Sequence, residues 1–271
     1  MNVLATGVSG TIGRQLRSRV GELSLRLDEV SDQLTLDLNG VAVIHLAGIV
    51  GEPRVKANLR QSRRVNILGT RNLAHAVARS SAKKFVYVST SHVYELPTNL
   101  GRLSENEPVL PRGHYALQKL LGEEMVTDAF LNFPERLVIA RVFSVLDSLQ
   151  PPGTLGHSIT QLTSDTTRTL ACSDDERDFL SPKIIANVLL QLAETAEANG
   201  IYNVCSGVAT SVRDAARLVL GESTYERVAD RIRPGHSTSP RIVGNPRRLV
   251  DALDIDASEL HRQFVSELRP Q

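Results

Sequence analysis

A chain of 271 residues, 41% hydrophobic and 23% charged, is long enough to bury a sizeable core and suits one large α/β unit carrying a smaller lobe. Its 31 basic and 30 acidic side chains leave a formal charge of +1, so nothing in the composition marks it for nucleic acid or for a membrane surface. Seven histidines without H-x-x-x-H or H-E-x-x-H spacing predict no metal site, and Cys172 and Cys205 form neither a CxxC motif nor a disulfide framework.

Met1-Asn2-Val3 runs directly into a first apolar strand, which leaves no room for a secretion leader and predicts a cytoplasmic protein. The longest apolar stretch, Val41 to Val50, is broken by His45 and Gly48 and falls short of the roughly 20 residues that a spanning helix needs. Short apolar runs at Val3–Thr6, Val41–His45, Phe85–Ser89, Leu137–Ala140 and Ile201–Val204 alternate with segments of helical period, the pattern of a parallel sheet with crossover helices. A first helix is expected to carry Ile12, Leu16, Val20 and Leu23 on one buried face, followed by a strand over Leu23–Leu27. A second places Val65, Leu68, Leu73 and Val77 on one face, and a third runs from Tyr115 and Lys119 through Leu120, Leu121, Met125 and Phe130 to a stop before Pro134. Ser181 followed by Pro182 reads as an N-cap with proline at the first helical position, opening a helix through Ile185, Val188 and Leu192. Pro151-Pro152-Gly153 and the segment 234–240 read as loops at lobe boundaries.

Gly7, Gly10 and Gly13 follow the first strand at three-residue spacing and lead into the first helical pattern. Gly7 permits a tight turn, Gly10 lets the backbone approach a pyrophosphate, and Gly13 permits close packing, so the segment including Thr11 and Ile12 is a candidate dinucleotide cradle. Asp28 stands near the roughly 20-residue offset at which an acid meets the adenosine ribose, which favours NAD over NADP. It also reads as an exposed loop acid, and Arg14 and Arg17 beside the turn admit NADP.

Tyr115 and Lys119, four residues apart, share one helix face, where an ammonium favours the phenolate and makes a usable acid/base. Thr90, in the hydroxyl cluster Ser89-Thr90-Ser91 after a strand, is placed to hydrogen-bond a substrate oxygen beside that tyrosine.

These motifs, with His45-Leu46-Ala47-Gly48, Val65-Asn66-x-x-Gly69-Thr70-x-Asn72-Leu73, Ser89 to Tyr94, Arg177-Asp178-Phe179, Tyr202 to Gly207 and Arg233-Pro234-Gly235, give the chain a resemblance to the extended short-chain dehydrogenase/reductase superfamily, in its NAD-dependent epimerase/dehydratase and sugar-nucleotide reductase branch. The resemblance implies that Tyr115 is the catalytic acid/base, that Lys119 also holds the nicotinamide ribose and that Thr90 orients the reacting group. It implies further that Asp37 and Leu38 lie near adenine, and that Leu46, Ala47 and Gly48 lie along the cofactor. Arg177 and Arg233 would contact a substrate diphosphate, for which bidentate pairing gives a physical basis. Ser144 replaces the usual Asn of the substrate site and His236 an acid after Arg-Pro-Gly. Ser91 and His92 stand where dehydratases carry an acidic pair, so a 4,6-dehydratase is disfavoured, while His92 is a candidate substrate contact beside Thr90. A homodimer through the helices carrying Asn72 and Tyr115 is implied as well.

The expected fold is therefore a doubly wound parallel (Rossmann) sheet over residues 1–145, rejoined by 178–206, with a substrate lobe formed by 146–177 and 207–271. The expected function is an NAD(P)-dependent oxidoreductase acting on a ketone/alcohol pair of a nucleotide-linked sugar, such as a 4-ketosugar. An NAD-dependent sugar-nucleotide epimerase is the alternative, and a non-catalytic dinucleotide-binding sensor or scaffold the third reading.

Overall fold

A computed structural model describes residues 2–96, 101–171, 173–235, 237 and 240–268; Cys172 and His236 lie outside the described residues. Strands β1 (Val3–Thr6), β2 (Gly21–Glu22), β3 (Ala42–His45), β4 (Lys84–Thr90), β5 (Leu137–Val142) and β9 (Gly200–Val204) form one parallel sheet in the order β2-β1-β3-β4-β5-β9. Between β5 and β9 the chain forms β6 (Ser144–Val145), β7 (Glu176–Arg177) and β8 (Phe179–Leu180); β10 (Thr210–Ser211) and β11 (Arg241–Ile242) follow. β6 pairs with β8, while β7 is flanked by β10 and β11 in a three-stranded sheet. The helices are α1 (Glu52–Ala57), α2 (Leu59–Arg63), α3 (Thr70–Arg79), α4 (His114–Ala129), α5 (Leu155–Gln161), α6 (Pro182–Glu194), α7 (Val212–Leu220), α8 (Glu222–Glu226), α9 (Arg247–Leu253) and α10 (Ala257–Leu268). No helix among the described residues is long and apolar enough to cross a membrane.

Both faces of the sheet are covered, so β4 and β5 are buried at every residue. Alternation decides what each face meets. Val86, Val88, Val138, Ala140 and Val142 join α6 in one core cluster, whereas Phe85, Tyr87, Leu137 and Ile139 join Leu73, Val77, Val126 and Phe130 from the α3 and α4 side in another. Ser181 caps α6 as expected, its hydroxyl accepting from the Ile184 N–H at 3.2 Å.

Three expectations are corrected. The first helix is reduced to a 3-10 turn over Gly13–Gln15 with further turns to Arg19. Leu16 and Val20 are buried in the α6-side cluster, but Leu23 packs with the opposite cluster because its N–H already extends the sheet, donating to Ala5 O at 2.9 Å. The strand expected over Leu23–Leu27 is instead the two-residue β2 at Gly21–Glu22, and residues 28–41 contain no strand. Leu68 is 52% exposed rather than in the core. Residues 64–69 form a π-helical turn, whose wider winding shifts the phase so that Leu73 and Val77 face inward and Leu68 does not.

Candidate active site

The strand order reverses between β1 and β3, and a crevice of this kind at the carboxyl ends of the strands is where open α/β sheets receive ligands. β1 ends at Thr6 and turns through Gly7 at φ 72°, where a Cβ would lie 2.6 Å from Ala47 N. At Gly13 a Cβ would run into the Gly7 carbonyl. Gly10 differs, for its Cβ would meet only Gly7 O, at 3.3 Å, and the residue is exposed. The chain's own packing demands the first and third glycines; the second is bare toward the outside, the geometry that a pyrophosphate cradle requires. Thr11 and Ile12 line this turn, half-buried, while Arg14 and Arg17 beside it are exposed.

Leu46, Ala47 and Gly48 lie at the end of β3, across from the turn, and Ala47 N–H donates to Thr6 Oγ1 at 3.3 Å. His45 is fully buried between Thr6 Oγ1 (2.7 Å) and Thr70 Oγ1 (3.0 Å), and burial, aided by the Lys119 charge, pushes its pKa down to about 3. It is a neutral bridge joining the turn to α3. Asp28 is no loose loop acid. Its carboxylate accepts from Gln61 Nε2 at 2.8 Å, a bond that holds it below the usual carboxylate range, and Arg26 lies 3.9 Å away. Asp37 is exposed, whereas the Leu38 side chain is buried in the α3-side cluster.

Thr90 ends β4, and its hydroxyl accepts from the His92 N–H at 3.3 Å. Tyr115, in the first turn of α4, forms a hydrogen bond with the Thr90 side chain, and burial pushes its phenol up to about 12. The expected phenolate is thus not favoured here. Burial is the cause, and Lys119 is engaged elsewhere: its Nζ donates to Val88 O at 2.6 Å and lies 4.6 Å from the Tyr87 ring centre. Burial pushes Lys119 down to about 8, against the pull of Glu123. Ser91 is buried beside Thr90, and His92 is held below its ordinary value by its dense surroundings and then by the Arg177 charge.

Two polar networks underneath were not anticipated. Glu123, one turn beyond Lys119, accepts from Ser89 Oγ at 2.5 Å and from Arg141 Nη2 at 2.6 Å, both charged groups being nearly sealed from water. Asn66 Nδ2 donates to Gln118 Oε1 at 2.9 Å, and Gln118 donates to Ser62 Oγ at 2.9 Å. An arginine inside the apolar run Leu137–Val142 and a glutamate four residues after Lys119 are the signals that could have found the first network.

In the three-stranded sheet, Arg177 on β7 pairs with buried Asp175 at 2.9 Å and donates to Ser237 Oγ at 3.3 Å. Asp175 also accepts from the Ser237 N–H and Asp174 from the Gly235 N–H, each at 2.9 Å, which ties Gly235 and Ser237 to the residues just before Arg177. The Arg233 side chain, two residues before Gly235, is exposed. Ser144 is half-buried, its N–H donating to Asp178 O at 2.9 Å. Asp178 is buried and accepts from Ser206, Gly207 and Gly244, so it joins the segments that follow β9 and β11. Among the described residues no group of three or more His, Cys, Asp or Glu is placed to hold a metal ion.

Comparison with known proteins agrees with this layout. The profile of the NAD dependent epimerase/dehydratase family matches residues 3–205. GDP-6-deoxy-D-mannose reductase of Pseudomonas aeruginosa is 27% identical over 92% of this chain and 90% of that protein. GDP-6-deoxy-D-talose 4-dehydrogenase of Aggregatibacter actinomycetemcomitans is 26% identical, with 94% and 92% covered. Among solved structures, RMD from Pseudomonas aeruginosa complexed with NADPH superposes with a TM-score of 0.77 at 25% identity, covering 99% of both chains.

Proposed function

Because the chain belongs to the NAD-dependent epimerase/dehydratase family, we propose that it reduces a ketone on a nucleotide-linked sugar, using NADH or NADPH. The observation that carries this reading is the Tyr115 phenol, kept protonated by burial and resting on Thr90, with the Lys119 ammonium one helical turn away. A protonated phenol donates to a carbonyl oxygen as that oxygen gains charge, and Thr90 holds the same oxygen through its hydroxyl. The turn at Gly7, Gly10 and Gly13 and the Leu46–Gly48 segment would hold the dinucleotide, which when bound supplies the hydride. Lys119 would turn from Val88 O to the ribose. In this reading Asp28 faces the adenosine ribose, Arg177 and exposed Arg233 bind the sugar-nucleotide diphosphate, and Ser91, His92 and Ser144 border the sugar.

Net reduction is favoured over epimerisation by the sheet's edge. β2 has only two residues and 28–41 holds no strand, and a sheet edge this short beside the glycine turn suits a cofactor exchanged every turn. The two similar reductase and dehydrogenase relatives, each covered over nine-tenths of its length, support the same choice and make a GDP-linked 4-ketosugar the first substrate to try. A homodimer is proposed through the exposed leucines Leu68, Leu117 and Leu121 on the π-helical turn and α4. Calorimetric titration with GDP, UDP and dTDP tests the substrate side. Arg177→Ala and Arg233→Ala should each weaken the preferred nucleotide by about 1.5 to 3 kcal/mol, and unchanged affinity in both would point to a carbonyl substrate without a diphosphate.

A further inference from the structure

Glu52 stands at the first position of α1, after Gly51 at φ 91°. Its carboxylate is directed at another helix. Oε1 accepts from the His114 N–H at 3.1 Å and Oε2 from the Tyr115 N–H at 2.8 Å, so one side chain satisfies two of the four unpaired donors at the start of α4. The residue at the N-cap of α4, Gly113, has no side chain to do this. Gly113 sits at φ 91°, and a Cβ there would lie 2.7 Å from Glu52 Oε2 and 2.9 Å from its Cδ. The glycine both adopts the required backbone and leaves the space that the carboxylate fills. Lys56, one turn along α1, approaches Glu52 Oε1 at 3.4 Å and fixes it from behind. The start of α1 is anchored in turn to the π-helical turn, since Ile49, three residues before Glu52, exchanges two hydrogen bonds with Asn66.

We propose that Glu52 is a positioning residue for Tyr115: a cap supplied from α1 that fixes the first turn of α4 and so sets the phenol against Thr90. The proposal rests on the reading of Tyr115 as the acid. A side chain in an uncapped first turn frays with it, and a displacement of about 1 Å in a proton donor costs on the order of a hundredfold in rate. Glu52 itself touches no reacting atom, so its loss should act on the chemical step and leave the dinucleotide turn intact.

The test uses the full-length protein with Glu52→Ala, Glu52→Gln, Gly113→Ala and Tyr115→Phe side by side. Glu52→Ala should lower kcat about ten- to a hundredfold while the cofactor KM stays within about twofold. Glu52→Gln preserves shape and one acceptor, guarding against a variant that merely unfolds, and should recover part of the loss. Gly113→Ala pushes the carboxylate away from the opposite side, so it should copy the kcat defect, and the double variant should be no worse than the poorer single one. Wild-type kcat in Glu52→Ala with a lowered Tm, or additive losses in the double variant, would overturn the proposal. If Tyr115→Phe loses turnover while Glu52→Ala does not, this proposal alone fails; if Tyr115→Phe retains turnover, it fails together with the reading beneath it.

Discussion

Tyr115 and Lys119 owe their chemistry to burial as much as to each other. The phenol stays protonated far above neutrality, and Lys119, at about 8, is the group that titrates within reach of assay. Its folded pKa lies below its ordinary value of 10.5, so its charge is present below about pH 8 and is lost above it. The kcat/KM profile should therefore fall on the alkaline side with a midpoint near 8, and a profile flat to pH 10 would show that the ammonium is not needed. Tyr115→Phe should lower turnover at least about a hundredfold with cofactor affinity preserved in calorimetry. At Asp28, fixed by Gln61, removing the charge in Asp28→Asn should raise the NADPH-to-NADH affinity ratio about tenfold, or about 1.4 kcal/mol, by ending repulsion of a 2′-phosphate. The Tyr-x-x-x-Lys spacing was legible in the sequence because it lies within one helix. The direction of Lys119 was not, since Val88 O comes from a strand some thirty residues away.

At the scale of elements, the glycine turn separates binding from folding. Gly10→Val should abolish dinucleotide binding with little change in urea midpoint, because Gly10 meets only Gly7 O. Gly13→Ala should cost about 1–3 kcal/mol of stability, because its Cβ has no room against the Gly7 carbonyl. Equal destabilisation by both would mean that Gly10 is packed too. Strands β1, β3, β4, β5 and β9 could be read from their apolar runs, and α6 from Ser181-Pro182, since burial on two faces and capping are local signals. The short first turn and exposed Leu68 were not readable. Helical periodicity fits Ile12 to Leu23 equally well whether the chain winds on or breaks early into β2, and only pairing of β2 with β1 decides. A π turn leaves no mark in composition.

For the whole molecule, the sheet order brings the Gly7 turn, Leu46–Gly48 and Thr90, with the start of α4 bonded to Thr90, to the carboxyl edge of the main sheet, while Arg177 lies in a separate small sheet with the loop residues Gly235 and Ser237 tied beside it. The general architecture followed from the alternation of strand and helix, but the Asp174 and Asp175 tethers that hold that loop to Arg177 did not, because they join residues some sixty positions apart. If the Leu68, Leu117 and Leu121 face is the dimer contact, Leu117→Glu should yield a monomer in light scattering, and an unchanged dimer would move the interface elsewhere. The central claim is net reduction of a ketosugar by Tyr115. It is tested most directly by supplying a GDP-linked 4-ketosugar with NADH or NADPH and following nicotinamide absorbance together with product stereochemistry. One reduced cofactor consumed per alcohol formed is the predicted result; inversion at one sugar carbon with no net change in absorbance would contradict it and establish an epimerase.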